Sequence, residues 1–419
     1  MESIQKPQKA NIHAHEVKQV VQTTCCIVGG GPAGAMLALL LAREGVPVML
    51  LEAHMDFERD FRGDTIHPST MNIMDELGLS ERLLHIRHSE LRTATVQTPQ
   101  GPFPLIDLSR LKTKYPYITI MEQSKFLDFI TNEAKRYPHF QLILGAQVDD
   151  LIEENGKVQG VRYRGQDGWY EVRAVLTVGA DGRFSRIRRL AGFEPIKTSP
   201  PMDVLWFRLS HKESDKAEGL IGRFGHRVLL AMINRYDYWQ LGYVIAKGSY
   251  QQIHSAGIEQ LRRSISEIVP EFADRVEELK EWKQVSVLSV ESNRLPRWYR
   301  PGLLLIGDAA HVMSPVGGLG INYAIQDAVV TANLLTKKLK NATLRPADLA
   351  RVQRQRELPT RIIQALQTFM QENLLARAIR ADKSFTLPLA LRLLVTIPIL
   401  RDMPGRMIAF GPFPVHLKK

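Results

Sequence analysis

Three glycine-bearing turns, each beside a carboxylate, hold most of the chemical content of this chain. Gly29-Gly30-Gly31-Pro32-Ala33-Gly34 follows the strand-like Cys26-Ile27-Val28 and opens a helix-like run from Ala35 to Ala42. In such a strand–turn–helix unit Gly29 allows the tight turn. Gly31 lets a pyrophosphate approach the backbone, and Gly34 lets the helix pack on the strand. The free amides of the first helical turn, which Pro32 and Ala33 open, then face the phosphates. Glu52 ends the second strand about twenty residues on, where a carboxylate accepts from both ribose hydroxyls of an adenosine and repels a 2′-phosphate.

The second segment is Leu303-Leu304-Leu305-Ile306-Gly307-Asp308-Ala309-Ala310-His311. It sets Asp308 at the carboxyl end of a buried strand, where open α/β sheets bind ligands. A glycine-rich loop from Met313 to Asn322 follows, with Pro315, Gly317, Gly318 and Gly320 before Ile321 and Asn322. It opens a long helix whose first amides suit a delocalised anion such as a reduced flavin. The third segment, Val178-Gly179-Ala180-Asp181-Gly182, again ends a strand in a carboxylate. Ser185 is placed to cap a short helix with Arg188 in its first turn. Arg183, Arg186, Arg188 and Arg189 form a basic cluster. His311 reads as a structural or helix-start residue rather than a base.

The elements that position these motifs follow from hydrophobic patterning. Thr23 to Glu52 reads as strand, helix, strand, with Gly45 ending the helix and Pro47 early in the second strand. A helix is expected from Pro68 to Leu77, and another from Ser124, as N-cap, to Tyr137. Strands are expected at 141–148, 158–163 and 169–178. From about 200 to 290 several strands follow without intervening helices, which predicts an antiparallel sheet inserted into the first domain. Within it Arg208, His226, Tyr238, Trp239 and Tyr243 are candidates to activate a substrate, although alternation turns half of any strand outward. Beyond Pro346 the chain reads as helices broken at Pro359, Pro388, Pro398 and Pro404.

The bulk numbers agree with a cytoplasmic globular protein of two or three domains. The chain has 419 residues, 44% of them hydrophobic and 24% charged, too many for one ordinary core. No apolar run reaches the roughly 18 residues of a membrane span, and the N-terminus has no apolar signal-peptide core. The two cysteines, Cys25 and Cys26, are adjacent, which predicts buried thiols. The net charge of +11 favours anionic ligands or an anionic surface. No metal-ligand spacing occurs, and no basic helix interleaved with aromatics that would point to nucleic acid.

The ordered set GxGxxG, Glu, DGxxSxxR and GDAAHxxxPxxGxGxN resembles the class A flavoprotein monooxygenases, the para-hydroxybenzoate hydroxylase-like group, over roughly Thr23 to Leu339. The resemblance implies an α/β fold: a Rossmann-like FAD-binding domain, an inserted, mainly antiparallel β-sheet substrate domain and a C-terminal helical segment. The matching divisions are a flexible tail (1–22), FAD-binding parts (23–90, 121–199 and 291–345), substrate-domain parts (91–120 and 200–290) and helices (346–419). It implies FAD on Gly29, Gly31, Pro32, Ala33 and Gly34, with Glu52 on the ribose and Arg62 near the flavin and pyrophosphate. Gln123 would contact FAD and Val148 adenine, and Asp181, Ser185 and Arg188 would belong to the motif associated with both FAD and NAD(P)H use. Asp308 would hold the ribityl chain, and Pro315, Gly318, Gly320, Ile321 and Asn322 would surround the isoalloxazine.

The chemistry so implied is oxygen transfer. NAD(P)H, or a separate reductase, reduces the flavin, and a flavin C4a-hydroperoxide then hydroxylates or epoxidises an aromatic, polyketide-like or prenylated substrate. Two other readings stand beside it: a reductase of prenyl double bonds on the same scaffold, and a non-catalytic flavoprotein binding module. A halogenase fits less well, because no WxWxIP sequence occurs. The basic, apolar segment from Leu387 to Leu400, with Arg377, Arg380, Lys383 and Arg392 on or beside it, is compatible with a lid, a dimer face or peripheral membrane contact.

Overall fold

The computed structural model describes residues 16–58, 64–98, 101–213, 215, 219–235, 237–376 and 401–418. Four parallel pairings build its larger sheet. Leu303–Leu305 pairs with Trp169–Gly179, which pairs with Val17–Val28. The sheet then continues through Val48–Glu52 to Phe140–Leu144. Antiparallel strands Lys157–Arg164, Gln147–Glu154 and Tyr299–Arg300 complete it.

The sequence reading differs from the structure at several elements. The strand expected at 141–148 is two, Phe140–Leu144 and Gln147–Glu154, parted at Gly145, whose φ is +69°. The first strand begins at Val17, not Thr23, because the long partner Trp169–Gly179 offers a ladder from Val17 onward, before the apolar pattern starts. The helix expected to be capped by Ser124 runs Gln123–Ala134, with Glu122 at the cap position. Pro359 does not break its helix, which continues from Pro346 to Met370. An interior proline costs about 3 kcal/mol. Here it is buried with Leu349, Val352 and Ile363 on the same helix, and their packing offsets that cost.

One face of the parallel sheet is covered by the helices Pro32–Arg43, Gln123–Ala134 and Gly320–Lys340, which share one apolar core with it. Cys25 and Cys26 are sealed in this sheet, and burial pushes the Cys25 thiol up to about 12 and raises Cys26 as well. They are packing residues, as their adjacency predicts.

The second sheet has seven strands, in the order Ser286–Leu288, Met202–Ser210, Tyr238–Ala246, Val228–Asn234, Leu220–Gly225, Thr93–Thr98 and Gly101–Asp107. All its pairings are antiparallel except that between Leu220–Gly225 and Thr93–Thr98. Period-2 alternation divides its residues between two environments. Leu205, Phe207, Trp239, Leu241 and Tyr243 pack under the Ile258–Ile268 helix. Val204, Trp206, Gln240, Gly242 and Val244 face a cavity on the other side. Among the described residues no helix is long and apolar enough to cross a membrane. The segment from Leu387 to Leu400 lies outside the described residues.

Candidate active site

The register of the parallel sheet brings the three sequence motifs together. Val28 is opposite both Leu51 and Gly179, and Gly179 is opposite Leu305. The chain therefore leaves the sheet side by side at Gly29, Asp181 and Asp308. Cross-links between the exits hold them: Gly29 N–H donates to Leu51 O (2.8 Å), Ala180 N–H to Val28 O (2.7 Å) and Ile306 N–H to Gly179 O (3.0 Å). This is the carboxyl edge of an open sheet, with Val17–Val28 central, where such folds bind ligands.

The glycines of the first turn have separable tasks. Gly29 has φ of +105°, and a Cβ there would lie 2.4 Å from Ala180 O. A Cβ on Gly34 would lie 1.9 Å from Gly29 O, so this glycine serves helix-to-strand contact. Gly31 differs, because a Cβ there would meet nothing within 4 Å. It caps the Pro32–Arg43 helix with no side chain across its first amides. Beneath it Glu52 is oriented from two sides: Gly30 N–H donates to Oε2 (2.8 Å), and His54 N–H to Oε1 (3.1 Å). An open amide-lined cradle beside a fixed carboxylate fits the pyrophosphate and ribose of an adenine dinucleotide.

Asp181 turns back into its own loop. Its carboxylate accepts from Ser185 Oγ (2.5 Å) and from the amides of Arg186 (2.6 Å) and Ile187 (3.0 Å). Burial nevertheless leaves its carboxyl above the ordinary range. Ser185 caps the Arg186–Leu190 helix by accepting from Arg188 N–H. The Arg188 guanidinium donates to Ala309 O (3.2 Å) and Arg183 O (2.6 Å), tying the Asp181 loop to the Asp308 loop.

The Asp308 loop stands on a fully buried knot that sequence reasoning missed. Asp327 accepts from His311 Nε2 (2.6 Å), Arg356 Nε (2.7 Å) and Gly307 N–H (2.9 Å). His311 is thus structural, as expected, and its ring centroid lies 4.9 Å from that of Trp298. The adjoining glycine loop is held by glutamines of the Pro346–Met370 helix and its π-helical extension. Gln364 Nε2 donates to Val312 O (3.1 Å), and Gln367 Nε2 to Ser314 O (3.0 Å) and Val316 O (2.7 Å). Gln371 Nε2 donates to Ser314 Oγ. The spacing 364, 367, 371 is one helix face, a signal present in the sequence that reads by default as a solvated stripe.

From the other side Thr65 Oγ1 donates to Gly318 O (2.9 Å), and a Cβ on Gly318 would lie 2.5 Å from that oxygen of Thr65. A Cβ on Gly320 meets nothing within 4 Å, so the start of the Gly320–Lys340 helix is open, like that at Gly31.

One continuous cavity of about 1290 Å³ joins these parts to the second sheet. Small-ligand sites run to about 300–1,000 Å³, so there is room for a dinucleotide and a second molecule. Of the predicted site residues, Gly29, Gly31, Pro32, Ala33, Glu52, Gln123, Val148, Asp181, Asp308, Pro315, Gly318, Gly320 and Ile321 line it. Gly34 and Asn322 are not among its lining residues. Asn322 is buried, and its amide oxygen accepts from His67 N–H (2.9 Å) and Thr70 Oγ1 (2.7 Å), so its side chain works behind the loop rather than in front of it. Arg62 lies outside the described residues.

None of the five substrate-activating candidates lines the cavity. Trp239 and Tyr243 have the wrong parity: Trp239 Nε1 donates to Asp215 (2.8 Å), and Tyr243 OH bonds Ser264 Oγ (2.8 Å). His226 is exposed in the turn after Gly225, and Arg208 lies over the Tyr238 ring. In their place Asp64, Arg235 and Gln240 reach the cavity, with the apolar faces of Met202, Val204, Trp206, Phe224 and Leu229 around them.

A dinucleotide cradle at the edge of a parallel sheet, opening without interruption onto an apolar antiparallel sheet, defines a class: oxidoreductases that hold a flavin dinucleotide against a second ligand. The chain belongs to the FAD binding domain family, whose model matches residues 22–358. It is an FAD-dependent oxidoreductase. It is 34% identical over 392 residues to the 6-methylpretetramide 4-monooxygenase of Streptomyces rimosus, covering 93% of this chain and 92% of that one. It is 25% identical over 373 residues to the para-nitrophenol 4-monooxygenase of Pseudomonas sp. (strain WBC-3), covering 86% and 90% respectively. The crystal structure of p-nitrophenol 4-monooxygenase PnpA from Pseudomonas putida DLL-E4 matches with a TM-score of 0.72 at 19% identity, over 94% of this chain and 100% of that one. At that identity the likeness is one of fold.

Proposed function

We propose that this enzyme is a monooxygenase that hydroxylates or epoxidises a large aromatic, polyketide-like substrate at the expense of NAD(P)H and O2. The observation that carries the reading is the unbroken cavity between the dinucleotide cradle and the apolar face of the second sheet. The relative that acts on 6-methylpretetramide supports a polycyclic ligand.

In this reading the amides of Gly31 and Ala33 and the carboxylate of Glu52 hold the adenosine end of FAD, and Asp308 holds the ribityl chain. Pro315, Gly318, Gly320 and Ile321 border the isoalloxazine. When bound, the flavin supplies two-electron reduction and oxygen activation. The residues of this chain do the rest. The open start of the Gly320–Lys340 helix stabilises negative charge on the ring system. The cavity-facing side of the second sheet, with Val204, Trp206, Leu229 and Gly242, orients the substrate and keeps water out.

The test is oxygen dependence. Purified protein is expected to be yellow, to release FAD on denaturation, and to consume NAD(P)H and O2 in step with product formation from hydroxylated polycyclic aromatics. Absence of FAD overturns the reading. So does product that forms equally well under anaerobic conditions, which identifies a reductase.

A further inference from the structure

The wall that the second sheet gives to the cavity is mostly apolar and carries charge at one place. Among the described residues, its strands contribute no charged side chain to the lining. Its one charged contribution is Arg235, in the turn that follows Val228–Asn234. Arg235 Nη1 donates to Asp64 Oδ2 (2.7 Å) and to Gln240 Oε1 (3.0 Å). The Arg235 side chain is 6% exposed and that of Asp64 17%.

An ion pair buried in this way is poor value for stability, since well-packed apolar residues of similar volume usually do as well or better. This pair differs from the buried Asp327–Arg356 pair in that both of its members line the cavity, where they offer a polar contact to a ligand. The guanidinium is a rigid fork of five donors, matched to oxygen anions. Nη1 spends both of its hydrogens on Asp64 and Gln240, which fixes the plane of the fork. Arg208 and Arg235 both lie by the Tyr238 ring, at 4.6 Å and 5.8 Å. The position is equally specific. Asp64 precedes Thr65, which holds Gly318 of the glycine loop, so the cluster lies at the seam between that loop and the sheet.

We propose that Arg235, fixed by Asp64 and Gln240, binds an acidic oxygen of the substrate: the phenolate or enolate oxygen of a ring system whose apolar body lies on the second sheet. The assignment deepens the monooxygenase reading and rests on it for the location of the reacting ring. It commits the enzyme to ring compounds with an ionisable hydroxyl, and makes their O-methyl ethers poor ligands. Charge-assisted hydrogen bonds of this kind separate two such ligands by about tenfold or more.

The experiment titrates FAD-loaded enzyme, without reductant, with matched pairs: 2-hydroxy-1,4-naphthoquinone, 4-nitrophenol and a hydroxyanthraquinone, each against its methyl ether. Perturbation of the flavin absorbance reports binding. The acidic member of each binding pair is expected to bind at least about tenfold more tightly. Arg235→Met is expected to abolish that preference while ether affinity is kept, and Arg235→Lys to restore part of it. Because Arg235→Met leaves Asp64 unpaired, the double variant Asp64→Asn/Arg235→Met is run beside it, with FAD content and melting temperature as checks on folding.

A preference that survives in both variants overturns the proposal. So does a wild-type enzyme that binds the ethers as well as the acids, or binds none of the acids. The two readings fail separately. Acid preference with oxygen-independent turnover removes the monooxygenase reading alone, and oxygen-dependent turnover with no acid preference removes the Arg235 assignment alone.

Discussion

Replacing Asp327 by asparagine tests whether the buried knot is what holds the Asp308 loop in place. Asp327 and Arg356 are sealed from solvent, and the Arg356 Nη atoms have no hydrogen-bond partner among the described residues. Asp327 is therefore the counter-charge on which this guanidinium depends. Removing one partner of a buried pair leaves an uncompensated charge, at about 3–5 kcal/mol. Unfolding entropy of about 2.1 cal/mol/K per residue, taken over the whole chain, converts this to a fall in Tm of about 3–6 °C. The pH dependence has a definite sign. Burial raises the Asp327 carboxyl, but the His311 and Arg356 charges outweigh burial, and the net shift is downward. The stabilisation is thus present at neutral pH and is lost as pH falls through the native pKa.

The assay follows melting by circular dichroism and by release of flavin fluorescence. FAD is expected to be lost before global unfolding in Asp327→Asn, because Gly307 N–H loses its anionic acceptor beside Asp308. The apolar replacement Asp327→Leu/Arg356→Met is expected to recover the part of the loss due to the unpaired guanidinium, while Gly307 N–H and His311 Nε2 still lack their acceptor. A single variant that melts within about 1 °C of the parent refutes the reasoning, since that is below about 1 kcal/mol for a chain of this size. A double variant no better than the single also refutes it, because the damage would then be one of shape and not of charge.

Two further outcomes follow from the same geometry. Gly31→Ala is expected to fold normally and to be purified with little FAD, since its Cβ enters the open cradle. Gly34→Ala is expected to lose soluble protein, since its Cβ meets Gly29 O at 1.9 Å, and flavin content per folded molecule separates the two. His67 is fully buried, and its Nδ1 is bonded to Ile408 O (2.8 Å) in the C-terminal Met403–Phe410 helix. Burial pushes its pKa down to about 4. The unfolded chain, at about 6.5, then binds more protons than the native one across that interval, so stability falls from pH 7 to pH 5 by about 2 kcal/mol. His67→Gln is expected to flatten that part of the Tm profile, and an unchanged slope would place the titration elsewhere.

The dinucleotide half was legible in the sequence because its parts are local. A strand, a glycine turn and a helix start are fixed by neighbours within a few residues, and the carboxylates at 52, 181 and 308 follow from where each strand ends. That these three ends converge is also readable, since parallel strands with intervening helices bring their carboxyl edges to one side. What local pattern could not supply was strand parity in the second sheet. Aromatic and hydrogen-bonding residues attract attention wherever they occur, and Trp239 and Tyr243 sit one position off Gln240 and Gly242. Only the pairing with Met202–Ser210, and the helix that covers the odd face, decides which set meets the cavity.

The C-terminal helix shows the opposite failure, and a more instructive one. Gln353, Gln364, Gln367 and Gln371 lie on one face, and such a stripe suggests solvent. It is buried because Gln364, Gln367 and Gln371 pack on the segment from Val312 to Val316 and donate to its oxygens, while Gln353 donates to Pro296 O. A glutamine supplies two N–H donors at the end of a flexible arm. Three of these residues at spacings of three and four hold a loop too irregular for a ladder. The Pro346–Met370 helix therefore forms the back wall of the glycine loop. Met370 and Leu375, at its end, reach the same cavity as Gly318 and Trp206. Truncation before Pro346 would thus remove part of the proposed site itself and not merely a cover over it.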